Sequence, residues 1–243
     1  MLLDYIDILN SGDEFLIKTN TILLPLYIIA ILLALSVHET AHGFIAYKCG
    51  DPTAKNLGRL TLNPISHIDP FGFICMLIAG FGWAKPVPVT TRNLKKPHRD
   101  MALVSLAGPV SNLLLALIFT IIYRIVAIPL FSLLFSTDIG FSTYLLYALI
   151  SFLTIMVELN ITLAVFNLLP IPPLDGSKIL YTFIPHKLYF KIVPYEKYIS
   201  LALMLLLVFG FLSPVISLVS GFIFNLMFSG VDFVITFIEG LFV

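Results

Sequence analysis

Hydrophobic residues along this chain gather in long stretches separated by polar ones, and the stretches have the length of a bilayer crossing. Ile22 to Leu35 is apolar without a break, and a helix needs about 20 residues to traverse about 30 Å of hydrocarbon. The pattern predicts a first span over about 21–47, a second over about 101–130 and a third over about 142–169. A fourth starts near Tyr198, and its end is left open by Gly210, Pro214 and Gly221. Residues 48–100 are too polar to cross. Within them, the patch Pro70 to Trp83 is short and broken by Gly72, Gly80 and Gly82, which suits a re-entrant or interfacial element better than a span. Lys85-Pro86-Val87-Pro88-Val89-Thr90 reads as extended backbone, because the two prolines forbid helix. The run Pro170-Ile171-Pro172-Pro173 ends the third span, and a short helix is expected from Gly176 to Phe183, stopped by Pro185. The expected fold is an all-α polytopic membrane protein with about four to six spans and a small re-entrant or β element after the first. It forms one domain over 1–243, with a core at about 21–198 and a C-terminal span or interfacial tail at about 198–243.

Composition sharpens this picture. Apolar residues make up 59% of the chain and charged residues 12%, where a soluble domain carries about 25% charge. Much of the surface must therefore face the lipid bilayer. The formal net charge is zero, which leaves no case for nucleic acid binding. The N-terminus opens with Asp4, Asp7, Asp13 and Glu14 instead of a basic segment, so it does not read as a secretory signal. Cys49 and Cys75 are too few for a disulfide framework and are expected as free thiols.

The basic residues set an orientation. Of the 14 lysines and arginines, eight lie in 48–100 and four in 171–198, leaving only Lys18 and Arg124 elsewhere. The positive-inside rule assigns the side holding those two segments to the cytoplasm.

The chemistry begins with His38-Glu39-Thr40-Ala41-His42. Histidines four apart share one helical face, so both imidazoles can reach one metal ion, and the glutamate between them can serve as general base on a water. Ionisable residues at membrane depth are costly, which makes function their default reading. Counted from Ile22, His38 lies about 24 Å along its helix, a few ångströms inside the cytoplasmic edge. A catalytic zinc takes three protein ligands and keeps a fourth position open. Asp175 is the best third candidate, since it follows the prolines that end a span on the same side; capping the helix that begins at Gly176 is the equal alternative. Glu158, about 18 Å from that edge, is too deep for a metal at the rim and suits polar pairing with Asn160 or another span. His67, between two prolines in a loop, is expected to be a solvated or hydrogen-bonding residue.

These motifs resemble the site-2 protease family of intramembrane zinc metalloproteases, in the compact form without a PDZ or CBS domain. The resemblance rests on His38-Glu39-x-x-His42, on Ala107-Gly108-Pro109-x-x-Asn112 and on Asn167-Leu168-Leu169-Pro170 through Asp175-Gly176. Gly58 to Pro64 and Gly82 to Val89 look like the compact subgroup, and the likeness covers about 25–185. It implies one Zn2+ per chain held by His38, His42 and Asp175, with Glu39 activating water. Asn167 would lie near the site and hold the substrate or its oxyanion. Asn112 is expected to bond to a neighbouring helix. The implied activity is hydrolysis of peptide bonds in a single-span membrane protein, as in regulated intramembrane proteolysis, at the cytoplasmic side. A substrate helix must unwind to be cut, and Ile68 to Thr90 is expected to offer a strand edge for its freed backbone groups. The rival reading is a catalytically silent zinc-containing membrane protein that binds client helices, and a metal-ion transporter is a second.

Overall fold

A computed structural model of the chain describes residues 8–10, 12–79, 82–136, 141–184 and 191–241. Four helices are long and apolar enough to cross a membrane, with spans Leu16–Lys48, Pro97–Val126, Thr143–Asn167 and Ser213–Gly240. They belong to α1 (Glu14–Lys48), α4 (Pro97–Ser136), α5 (Phe141–Asn167) and α8 (Ser213–Leu241). Between them lie the single turn α2 (Thr53–Asn56) and the helices α3 (Pro70–Ala79), α6 (Asp175–Tyr181) and α7 (Glu196–Val208). The protein is an all-α polytopic membrane protein.

Helices α1, α4 and α5 pack against one another, and α8 covers α5 and α4 from outside. Small residues make the inner contacts: Ala30 and Ala34 of α1, Ala116 of α4 and Ala164 of α5 are fully buried. Lipid is as apolar as leucine, so burial alone does not drive these helices together; alanines let their backbones approach closely enough for dispersion and polar contacts to act. Val157, Ile161 and Val165 form the seam against which Ile216, Ile223 and Phe224 of α8 rest. Arg124 of α4 and Asp232 of α8 form an ion pair that ties the last span to the bundle.

Two elements differ from the sequence expectation. Tyr198 lies in α7, whose 13 residues measure about 20 Å and cannot cross alone. Gly210 takes a positive φ of 74° and ends that helix, and the fourth span starts afresh at Ser213, with Pro214 in its first turn where a missing N–H costs nothing. The patch after the first span is α3, a ten-residue helix too short to cross, in keeping with a re-entrant or interfacial element; a strand is what is missing among the described residues. Asp69 accepts the Gly72 N–H at 2.9 Å and Pro70 follows it, an ordinary helix start. Its glycine serves close packing: a Cβ on Gly72 would stand 2.1 Å from the Trp83 carbonyl oxygen. Among the described residues the only β pairing is an isolated antiparallel bridge between Ile68 and Ala84, so the strand edge expected over Ile68 to Thr90 is reduced to the extended stretch after Ala84.

Candidate metal centre

His38 and His42 project from one face of α1, and the chain brings Asp175 to them from 137 residues away. Asp175 Oδ2 lies 3.2 Å from His38 Nε2 and 3.1 Å from His42 Nε2. The two Nε2 atoms are 3.0 Å apart. All three residues are buried, at 5%, 8% and 5% exposure. Among the described residues they are the one group of histidine, cysteine or acid side chains that converges as a metal site would.

The tautomers follow from the outer partners. His42 Nδ1 faces the Val104 carbonyl oxygen at 2.6 Å, which only accepts, so Nδ1 carries the proton. His38 Nδ1 faces Asn112 Oδ1 at 2.5 Å. The Asn112 amide cannot be turned round, because its Nδ2 donates to the Ala34 carbonyl at 3.3 Å and to Asn160 Oδ1 at 2.7 Å. Asn160 in turn donates to the Met156 carbonyl. Both rings therefore aim Nε2 lone pairs at each other and at a carboxylate. Three such electron-rich atoms in mutual contact repel unless a cation sits among them. Their separations of 3.0–3.2 Å approach the edge of about 3.3 Å of a tetrahedron with the metal–nitrogen length of zinc. The donor set fits that ion, and the outer hydrogen bonds are of the kind that orient metal-binding histidines.

Local sequence explains the placements. Pro109 lacks an N–H for the Ser105 carbonyl, and Val104, the preceding residue on the same turn of α4, presents its own carbonyl to His42. Gly108 lies against the imidazoles: a Cβ there would be 2.5 Å from His42 Nε2 and 2.6 Å from His38 Nε2. Gly176 has the same purpose at the other wall, since its Cβ would be 2.2 Å from the Leu168 carbonyl oxygen. The capping alternative for Asp175 is not seen: Leu174 occupies the cap, with no side-chain cap bond. Instead Asp175 Oδ1 accepts from Lys178 Nζ at 3.2 Å.

Glu39 lies beside the histidines in the motif and accepts the Val87 backbone N–H on Oε2 at 2.7 Å. That extended stretch is pinned on both flanks. Arg59 donates to the Lys85 carbonyl at 2.7 Å, Lys85 N–H reaches the His67 carbonyl at 2.9 Å, and Asp51 accepts the Thr90 N–H at 2.6 Å. Asn167 donates from Nδ2 to the Leu163 carbonyl at 2.9 Å, and no bond joins it to the histidines, Glu39 or Asp175 among the described residues. His67 is buried, not solvated; its Nε2 shares the Thr61 carbonyl with the Thr40 hydroxyl. Asn160, expected beside Glu158, bonds to Asn112 instead. Because Asn160 is in the layer of His38, Glu158 is not too deep for the site; it is excluded by pointing off another face of α5. The far end of α1 at Lys48 agrees with the expected span, and the helix runs ten residues past His38, about 15 Å.

Comparison with known proteins places this arrangement. The sequence model of Peptidase family M50 matches residues 26–209, and the chain belongs to that family, the site-2 protease family. It is 47% identical over 177 residues to "Putative zinc metalloprotease YwhC" of Bacillus subtilis, covering 72% of this chain and 77% of the relative. It is 34% identical over 149 residues to "Putative zinc metalloprotease Rip2" of Mycolicibacterium smegmatis, covering 60% of this chain and 52% of that protein. No solved structure matches.

Proposed function

We propose that this protein is a zinc-dependent intramembrane endopeptidase that hydrolyses peptide bonds of single-span membrane proteins near the cytoplasmic face. The observation that carries the reading is the convergence of His38, His42 and Asp175 beside Glu39. His38, His42 and Asp175 would hold one zinc ion. Bound there, zinc supplies a Lewis acid that polarises a carbonyl and acidifies a water toward neutral pH. Glu39 is the general base: Val87 N–H fixes Oε2, which leaves Oε1 to take a proton from water and deliver it to the leaving amine. Asn167 is assigned the substrate or its oxyanion, a role that requires its amide to leave the Leu163 carbonyl.

The substrate must arrive unwound. The extended stretch Lys85–Thr90 lies against Glu39 through Val87, and strand addition there would satisfy backbone groups that lipid leaves unpaired. Twelve of the 14 basic residues fall in the sequence segments 48–100 and 171–198, which follow the ends of α1 and α5, and this supports a cytoplasmic site. The test is Glu39→Gln, assayed on a membrane-embedded reporter. The variant retains zinc and loses cleavage by at least about 100-fold, at the scale of general acid–base catalysis; cleavage at the wild-type rate would reject the base.

A further inference from the structure

Glu158 is left unused by this chemistry, and it stands at an unusual place. It lies nine residues before the end of α5 (Phe141–Asn167), about 14 Å along the axis, and only three residues from the middle of the span 143–167. Its side chain is exposed on the lipid-facing surface and makes no hydrogen bond or ion pair among the described residues. An acid at the hydrocarbon centre is costly in either protonation state unless a partner meets it.

The surroundings indicate what that partner is. Glu158 opens into a crevice of about 330 Å³ between α5 and α8, with Thr162 one turn further along α5 and Ser217, Ser220 and Gly221 on the opposite wall. The Ser220 hydroxyl is shielded from solvent and has no hydrogen-bond partner. A Cβ on Gly221 would meet nothing within 4 Å, so a neighbouring backbone can come close. The volume admits one or two long side chains and not a whole helix. Among the described residues Glu158 is the one charged side chain lining it, and the hydroxyls beside it can accept as well as donate, which suits a side chain with several N–H donors and a positive charge. A lysine ammonium has three such donors. We propose that this crevice is a docking site for a membrane-spanning helix of another protein that carries a basic residue at mid-bilayer depth. The site is in the layer of Asn160 and His38 but on another face of α5, so a helix bound there is held beside the metal centre without occupying it.

The experiment measures association in phosphatidylcholine vesicles, by energy transfer, between the labelled full chain and synthetic Leu/Ala helices of about 22 residues. One helix has a central lysine and the other a leucine at that position. The lysine helix associates about tenfold more tightly with the wild type, the scale of one polar contact between membrane helices. Glu158→Leu removes the preference. Gly221→Leu, which fills the crevice from the α8 wall and leaves the acid in place, reduces it as well. Equal association of both helices with the wild type, or a preference that survives in both variants, overturns the proposal. Because the readout is binding, the result stands apart from whether the chain cleaves peptides.

Discussion

Asn112 Oδ1 lies 2.5 Å from His38 Nδ1, and the same amide donates to Asn160 across the bundle. One side chain thus joins α4 to α1 and α5 and also selects the tautomer of a ring in the candidate metal centre. Packing and chemistry are inseparable at this residue, because the bond that holds the three helices in register is the bond that aims His38 Nε2 inward. All of Asn112 and Asn160 is buried, so either amide left without its partner would be costly.

Truncating this network should therefore weaken metal binding before it unfolds the protein. Asn112→Ala is expected to lower zinc affinity about 10- to 100-fold, the usual effect of removing a partner of a metal-binding histidine. Asn160→Ala, one bond further out, should have a smaller effect. Competition titration with a chelator in detergent measures both. Equal affinities for wild type and Asn112→Ala would contradict the assigned role.

Gly108→Ala tests the packing of α4 on the site. The new methyl would be 2.5 Å from both His38 Cε1 and His42 Nε2, far inside contact distance, and neither ring can retreat without losing its outer hydrogen bond. The expected outcome is loss of stoichiometric zinc and of cleavage. Gly230→Ala is the control, as a Cβ there meets nothing within 4 Å and alanine is the better helix former; it should match the wild type in both assays.

Asp51 governs the stretch that reaches Glu39, and it does so as a carboxylate. It is fully buried. Burial pushes its pKa up, but hydrogen bonds from Thr53, Asn93 and the Thr90 backbone outweigh this and hold it below its ordinary value. With the folded pKa below the unfolded value of about 4, the stabilisation is fully present above about pH 4 and is lost as pH falls through the folded value. Thermal unfolding in detergent between about pH 3 and 6 should show Asp51→Asn less stable than wild type at the upper end, with the gap closing on acidification. A gap that stays constant across this range would remove the charge from the explanation.

The parts legible in the sequence were those with local signatures. Three spans are recognisable from hydropathy because each is a long apolar run closed by charge or proline. His38 and His42 are recognisable because spacing four is a one-turn relation on a helix. Asp175 could be narrowed but not decided locally, since an aspartate after a proline run looks the same as ligand or cap; in the fold it makes no cap bond and lies against both histidines. The fourth span was misplaced because α7 is as apolar as a span, and only the positive φ of Gly210 and the fresh start at Pro214 divide the run. The start of α3 was signalled by Asp69-Pro70, a cue outweighed by glycines that serve packing against Trp83. Gly108 and the Asn112–Asn160 pair had no local signal for their roles: each acts on a residue 48 or more positions away, and only the folded bundle brings them together.

The central claim is that His38, His42 and Asp175 together hold one zinc ion. Zinc-edge X-ray absorption on the purified protein, with metal content measured on the same sample, tests it most directly. The expected result is one zinc per chain, bound by two imidazoles and carboxylate or water oxygen, with markedly reduced zinc content in Asp175→Ala. A sulfur shell from Cys49 or Cys75, or unchanged zinc content and spectrum in Asp175→Ala, would contradict the account.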